Sequence, residues 1–138
     1  KALREGLKNG VFDVIGTDHA PHTAEEKAGG WGKAPNGIIG LETAVGLSIT
    51  NLIETKTLNW IQLAEKTSFN PAKLVNLESK GSVKPGFDAD LTIIDPEKEW
   101  IVDSSKFKSK SRNTPFDGMV LKGKAVAVVA KGVLYELD

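Results

Sequence analysis

The run Val11-Phe12-Asp13-Val14-Ile15 constrains this chain more than any other stretch. It is apolar almost throughout instead of alternating, so as a strand it needs cover on both faces, as parallel strands do. It then releases Thr17-Asp18-His19-Ala20-Pro21-His22, which sets a carboxylate and two imidazoles at the expected C-terminal tip of that strand. Such tips carry the catalytic groups of α/β barrels. His19 and His22 are the only histidines, so any imidazole chemistry belongs to this segment.

Several chemistries are excluded at once. The chain has no cysteine, which removes disulfides, thiolate metal sites and thiol nucleophiles. Eighteen basic residues balance eighteen acidic ones and no basic face stands out, so nucleic acid is not an expected partner. No apolar run is long enough for a bilayer and no signal peptide is present, so a cytoplasmic protein with no membrane partner is expected.

The first residues read as the tail of a helix: Leu3 and Leu7 share a face, and Asn9-Gly10 supplies a C-terminal stop. The chain opens on Lys1 and its only methionine is Met119, so it reads as a fragment of a larger fold. Thr23 to Gly40 is expected to be a long glycine-rich loop, and loops of that length are often functional. Leu41, Val45, Ile49, Leu52 and Ile53 form one stripe of a helix from Leu41 to Lys56. Asn59 with Gln62 opens a second helix as a capping box, with Ile61, Leu63 and Ala64 on its apolar side. Asn70-Pro71 opens a third, filled by Ala72, Leu74, Val75 and Leu77.

Beyond Leu77 the texture is β. Lys80-Gly81 and Pro85-Gly86 are turn signals. Leu91 to Ile94 reads as a strand stopped by Asp95-Pro96, and Trp100 to Val102 as another. Met119 to Leu121, Ala125 to Ala130 and Val133 to Leu137 follow, joined by Gly123-Lys124 and Lys131-Gly132. Lys106 to Arg112 reads as a solvated basic loop.

The candidate site residues each carry two readings. Asp18 is either a turn cap or a metal ligand that also moves a proton from attacking water to a leaving nitrogen. His22 lies beyond an Ala-Pro step that stiffens the backbone. It is either a surface residue or a fixed donor to a substrate carboxylate. His19 suits packing or the orientation of Asp18. Asn36-Gly37 is a plain turn or a place where backbone approaches a ligand. Trp31 is read as cover for apolar surface. One carboxylate and two histidines do not complete a hydrolytic metal centre, which takes three or more protein ligands.

Together these residues identify a resemblance. Gly16-Thr17-Asp18-His19-Ala20-Pro21-His22, followed by Lys33-Ala34-Pro35-Asn36-Gly37-Ile38-Ile39-Gly40-Leu41-Glu42-Thr43, closely resembles the bacterial dihydroorotases of the amidohydrolase superfamily. The likeness continues through Asn70-Pro71-Ala72-Lys73, Lys80 to Gly86, Asp88-Ala89-Asp90-Leu91 and Ser109-Lys110-Ser111-Arg112-Asn113-Thr114-Pro115-Phe116.

The resemblance implies an α/β chain: the C-terminal part of a (β/α)8 amidohydrolase barrel, followed by the C-terminal share of a small β-domain. Residues 1–80 would end the barrel, with Val11 to Gly16 as its eighth strand, and residues 81–138 would belong to the β-domain. It further implies zinc-dependent interconversion of N-carbamoyl-L-aspartate and L-dihydroorotate in pyrimidine biosynthesis, with one or two ions in the full-length enzyme. Asp18 would be the catalytic and metal-binding aspartate, and His22, Asn36 and Gly37 would contact substrate. Asn36 departs from the phenylalanine usual at that position. The implied partners are the small acidic substrate and the N-terminal part of the barrel, whose ligands are absent here; a homo-oligomer and a complex with aspartate transcarbamoylase stay open. Two alternatives also stay open: a non-catalytic dihydroorotase-like partner protein, and a hydantoinase or allantoinase relative.

Overall fold

A computed structural model describes residues 1–30 and 32–137; Trp31, read above as surface cover, lies outside them. Helix α1 spans Ala2–Lys8 and ends at Asn9, with Gly10 in the left-handed region at φ 75°. The Asn9-Gly10 stop signal therefore acts as expected. Within the long loop, Ala24–Lys27 forms a single turn, α2. Thr23 and Glu26 close it with a capping box, a local T-x-x-E signal that a reading of the segment as plain loop passes over.

The long helix is shorter than expected. Its regular part, α3, is Ala44–Ser48 and continues as a π turn over Ile49–Ile53. Leu41 precedes it and is exposed, so it leaves the expected stripe. The second and third expected helices are one continuous rod: α4 (Trp60–Ala64), a π turn (Glu65–Phe69) and α5 (Asn70–Leu74). The Asn59–Gln62 capping box is present, with both bonds at 2.9 Å. Asn70, however, has helical angles and is not a cap.

Proline explains the π turn. Pro71 has no N–H and its ring crowds the carbonyl one turn back. The rod widens instead, so that the Asn70 N–H bonds Glu65 O. The next π bond would need a proton on Pro71 N, and the Lys66 carbonyl takes the Ile15 N–H in its place, at 2.9 Å. Lys66 Nζ donates to Phe12 O at 2.5 Å and Asn70 Nδ2 to Asp13 O at 2.8 Å. The apolar run is thus tied to the rod. It has no strand ladder among the described residues, because a parallel strand is made by neighbours on both edges and none lies beside it.

Three antiparallel strands follow in the order β1-β2-β3: Leu91–Ile101, Val120–Ala130 and Val133–Glu136. The two expected pieces before Val102 are one strand. Asp95 pairs with Lys124 and Glu99 with Lys122, so the segment containing Pro96 bulges out of the ladder instead of ending it. The pieces around Gly123 are likewise one strand. Lys131-Gly132, both at positive φ, make the tight β2–β3 turn.

The sheet packs on α3 through β2, whose inward positions Leu121, Gly123 and Ala127 are buried. Thr50 Oγ1 accepts the Lys122 N–H at 2.8 Å, which fixes helix against strand. One apolar cluster joins Ile39, Val102, Phe107 and Leu121; a second joins Ile49, Leu52, Leu58 and Leu63. The rod turns a different face inward from the one its pattern suggested. Leu63 is buried, while Ile61 is 72% exposed and Leu74, Val75 and Leu77 are exposed too. Nothing among the described residues covers that side.

The turn before β1 is held by charge. Lys80 Nζ reaches Asp88 at 3.1 Å and also Asp90. Ser79 and then Lys80 hold Asp88 below the usual carboxylate range; Lys80 and then the Lys131 N–H do the same for Asp90. Depressed carboxylates stabilise above their ordinary pKa, and that contribution is lost as pH falls through the lowered values. Lys80→Met is expected to flatten the acid side of the stability–pH curve, read from urea midpoints between about pH 6 and about pH 2. The effect is small and salt-sensitive because the groups are exposed. A parallel downward shift at all pH values would deny the ion cluster any such role.

Candidate active site

Two segments lie side by side. His19 forms a parallel bridge with Ile38, and the Ala20 N–H donates to Ile38 O at 2.9 Å. This brings residues 17–22 against residues 36–41, joining the two stretches that carry the expected site residues.

Asp18 is exposed, at φ 45°. That left-handed conformation is uncommon outside glycine, although aspartate tolerates it. Its carboxylate makes no hydrogen bond among the described residues and caps no helix, so the turn-cap reading finds no support. His19 points elsewhere: its Nδ1 accepts the N–H groups of Gly40 (3.1 Å) and Leu41 (3.4 Å). An Nδ1 used as acceptor puts the ring proton on Nε2. His19 therefore holds the start of the segment leading to α3 and does not orient Asp18.

His22 is half-buried. Its Nε2 lies 3.0 Å from the backbone carbonyl of Asn36, which can only accept, so the imidazole donates there. Nδ1 faces Glu26 Oε2 at 3.6 Å. The Thr23 N–H, and after it the neighbouring His22 imidazole, hold the Glu26 carboxyl below its ordinary value. Asn36 thus takes part through its backbone, while its side chain is exposed. A residue other than phenylalanine at this position keeps that contact.

Gly37 is a true glycine position. Its φ is 104°, and a Cβ would stand 2.6 Å from Ala20 Cβ and 3.7 Å from His22 Nε2. Without a Cβ at Gly37 the turn packs directly against Ala20, beside the imidazole. Lys27 Nζ clamps the same turn, donating to Pro35 O (2.8 Å) and Gly37 O (2.7 Å).

Sequence reasoning missed Ser111 and Asn113. Ser111 bonds the His22 backbone, and Asn113 bonds the His22 and Gly37 backbones, both from a stretch whose first part is read above as solvated loop. That reading is corrected: Phe107 and Ser111 are buried, and Glu42 accepts the N–H groups of Lys108 (2.8 Å) and Ser109 (3.0 Å). The S-R-N run was visible, but nothing local says where its polar groups go.

Two adjoining grooves lie elsewhere, both lined by Leu77, Lys80 and Phe87. They hold none of the expected site residues. Among the described residues no group of three or more His, Cys, Asp or Glu side chains could hold a metal ion. Asp18 fits the part of one ligand, being an exposed carboxylate without a competing bond. Among the described residues no helix is long and apolar enough to cross a membrane.

Comparison with known proteins adds the wider setting. The family model described as amidohydrolase family matches residues 1–134. A dihydroorotase from Syntrophus aciditrophicus is 46% identical over 139 residues, covering 100% of this chain and 32% of the relative. One from Pelotomaculum thermopropionicum is 50% identical over 95% of this chain and 30% of the relative. Among solved structures, the L-hydantoinase (dihydropyrimidinase) of Arthrobacter aurescens superposes with a TM-score of 0.90 at 37% identity, over 99% of this chain and 32% of that one. The D-hydantoinase of a Thermus species gives 0.89 at 28% identity, over 99% of this chain and 31% of that one. The chain spans about a third of the length of the curated relatives it matches.

Proposed function

The chain belongs to the amidohydrolase family, and from that premise we propose that it supplies the C-terminal third of a zinc-dependent dihydroorotase. Residues 1–80 complete a (β/α)8 barrel, with Val11 to Gly16 as the eighth strand, and residues 81–138 give a share of a small β-domain. The substrate pair is N-carbamoyl-L-aspartate and L-dihydroorotate.

One observation carries the reading. His22 is held with its donor on the Asn36 carbonyl, beside the side-chain-free turn at Gly37, on the segment that also presents an unbonded Asp18 carboxylate. That arrangement puts a donor for an anion and a proton acceptor on one short segment. The identity of 46–50% to proteins named dihydroorotase supports the same substrate class. The hydantoinase neighbours favour a second reading, in which the ring is neutral; an imidazole donor on the site segment favours the acidic one.

A bound zinc ion would supply Lewis-acid polarisation of the ring amide and a more acidic attacking water. Asp18 would ligate it from this chain; the remaining ligands come from outside these residues, and the isolated chain is expected to be inactive. In ring opening, water adds to the amide carbon and the C–N bond breaks. Asp18 takes the proton from the water and returns it to the leaving nitrogen. His22 turns its N–H from Asn36 O to the substrate carboxylate, exchanging a neutral bond for a charge-assisted one. Gly37 lets backbone approach the ring.

In the full-length protein, His22→Ala is expected to weaken binding of dihydroorotate about ten- to a hundredfold, the worth of a hydrogen bond to a charged group. Steady-state kinetics on dihydroorotate and on a neutral hydantoin, run together, test the reading. Faster turnover of the hydantoin, with no effect of His22→Ala on either Michaelis constant, would favour the second reading.

A further inference from the structure

We propose that Ser111 and Asn113 are positioning residues that set the main-chain geometry of His22 and Gly37, and so couple the segment after β1 to the binding of the acidic substrate. The proposal rests on the roles given above to His22 and Gly37. The Asn113 amide donates to Ala20 O at 2.9 Å and to Gly37 O at 3.3 Å, on the two adjoining segments of the site. Its Oδ1 accepts the His22 N–H at 3.3 Å and faces the Ser111 hydroxyl. Its backbone carbonyl accepts the Ile39 N–H at 3.1 Å. Ser111 is 8% exposed; its Oγ accepts the His22 N–H at 3.2 Å and reaches His22 O at 2.5 Å.

Every polar atom of the Asn113 side chain is thus spent on the backbone of the two site segments, across sequence separations of 76 to 93 residues. Only an amide does this, because it donates to two carbonyls and accepts an N–H at once. A carboxylate of the same size would turn an anionic oxygen toward the carbonyls of Ala20 and Gly37. The Gly37 carbonyl is held from one direction by Asn113 and from another by Lys27. Losing the first hold lets the turn shift relative to His22, which moves the donor away from where the anion sits without touching the proton-transfer group.

The experiment compares Asn113→Asp, Ser111→Ala and Thr50→Val in the full-length protein. Thr50→Val removes the helix–strand bonds to Lys122, far from the site in sequence, and serves as the purely structural control. Asn113→Asp is expected to raise KM for dihydroorotate about tenfold while kcat stays within about threefold. Hydrogen exchange is expected to accelerate in peptides covering residues 20–40 and to remain slow in residues 44–74. Thr50→Val is expected to lower the unfolding midpoint with KM unchanged. If Asn113→Asp does not fold, Ser111→Ala carries the same expectation at about threefold in KM, since it deletes the hydroxyl without adding charge. An unchanged KM, or exchange accelerated equally in both regions, overturns the proposal. A parent that opens only neutral rings would defeat the dihydroorotase reading instead. The exchange comparison would then still decide whether Ser111 and Asn113 hold the turn.

Discussion

Asp18→Asn in the full-length protein is expected to lower kcat by about 10²–10⁴-fold, the usual contribution of a positioned acid–base group. The substitution keeps size and shape. The left-handed backbone at φ 45° is no obstacle, because asparagine adopts it as readily as aspartate. The fold is therefore expected to stay intact, with an unfolding midpoint close to the parent's. On the reading proposed above, what is lost is the ability to accept a proton from water, together with the ligand charge Asp18 would give a metal. Rates in both directions, metal content by mass spectrometry and the thermal midpoint would be measured on the same samples. Activity within about threefold of the parent would remove Asp18 from the mechanism.

Gly123→Ala is expected to cost about 2–4 kcal/mol of stability, combining backbone strain with overpacking. Gly123 has φ 85°, and a Cβ there would stand 2.2 Å from Ile49 Cδ1 and 3.0 Å from both Cβ and Cγ2 of Ile49. The tip of Ile49 can rotate away, but its branched base cannot, because Ile49 is 1% exposed in the cluster beneath. Gly132 is the internal control. Its φ is 79° with nothing near the Cβ position, so Gly132→Ala carries only the backbone part, about 1 kcal/mol. Urea unfolding of both variants separates the terms. Adding Ile49→Val, which removes the Cδ1 atom, is expected to restore part of the Gly123→Ala loss. Equal losses in the two glycine variants would mean that the π turn at Ile49 and β2 do not approach as closely as described.

Which features could be read in advance follows from how far apart the interacting groups lie. The Asn9-Gly10 stop, the Asn59–Gln62 capping box and the Lys131-Gly132 turn are bonds within a few residues, and each was legible from residue type alone. The S-R-N run gave no such warning: its partners, Ala20, His22 and Gly37, are distant in sequence, and only chain folding brings them within bonding range. Pro71 and Pro96 were read as boundaries because proline breaks a regular ladder. In the folded chain a π turn and a bulge absorb them, and the freed Lys66 carbonyl is taken by Ile15. Apolar periodicity likewise showed that the rod has hydrophobic residues but not which of them are covered; Leu63 is buried and Ile61 is not. The sequence by itself determined the caps and the turns, because those depend on short-range bonds. Tertiary structure alone decided which rod face is buried, where the Pro71 defect is satisfied and what holds His22 against Gly37, because each depends on groups that meet only when remote segments pack.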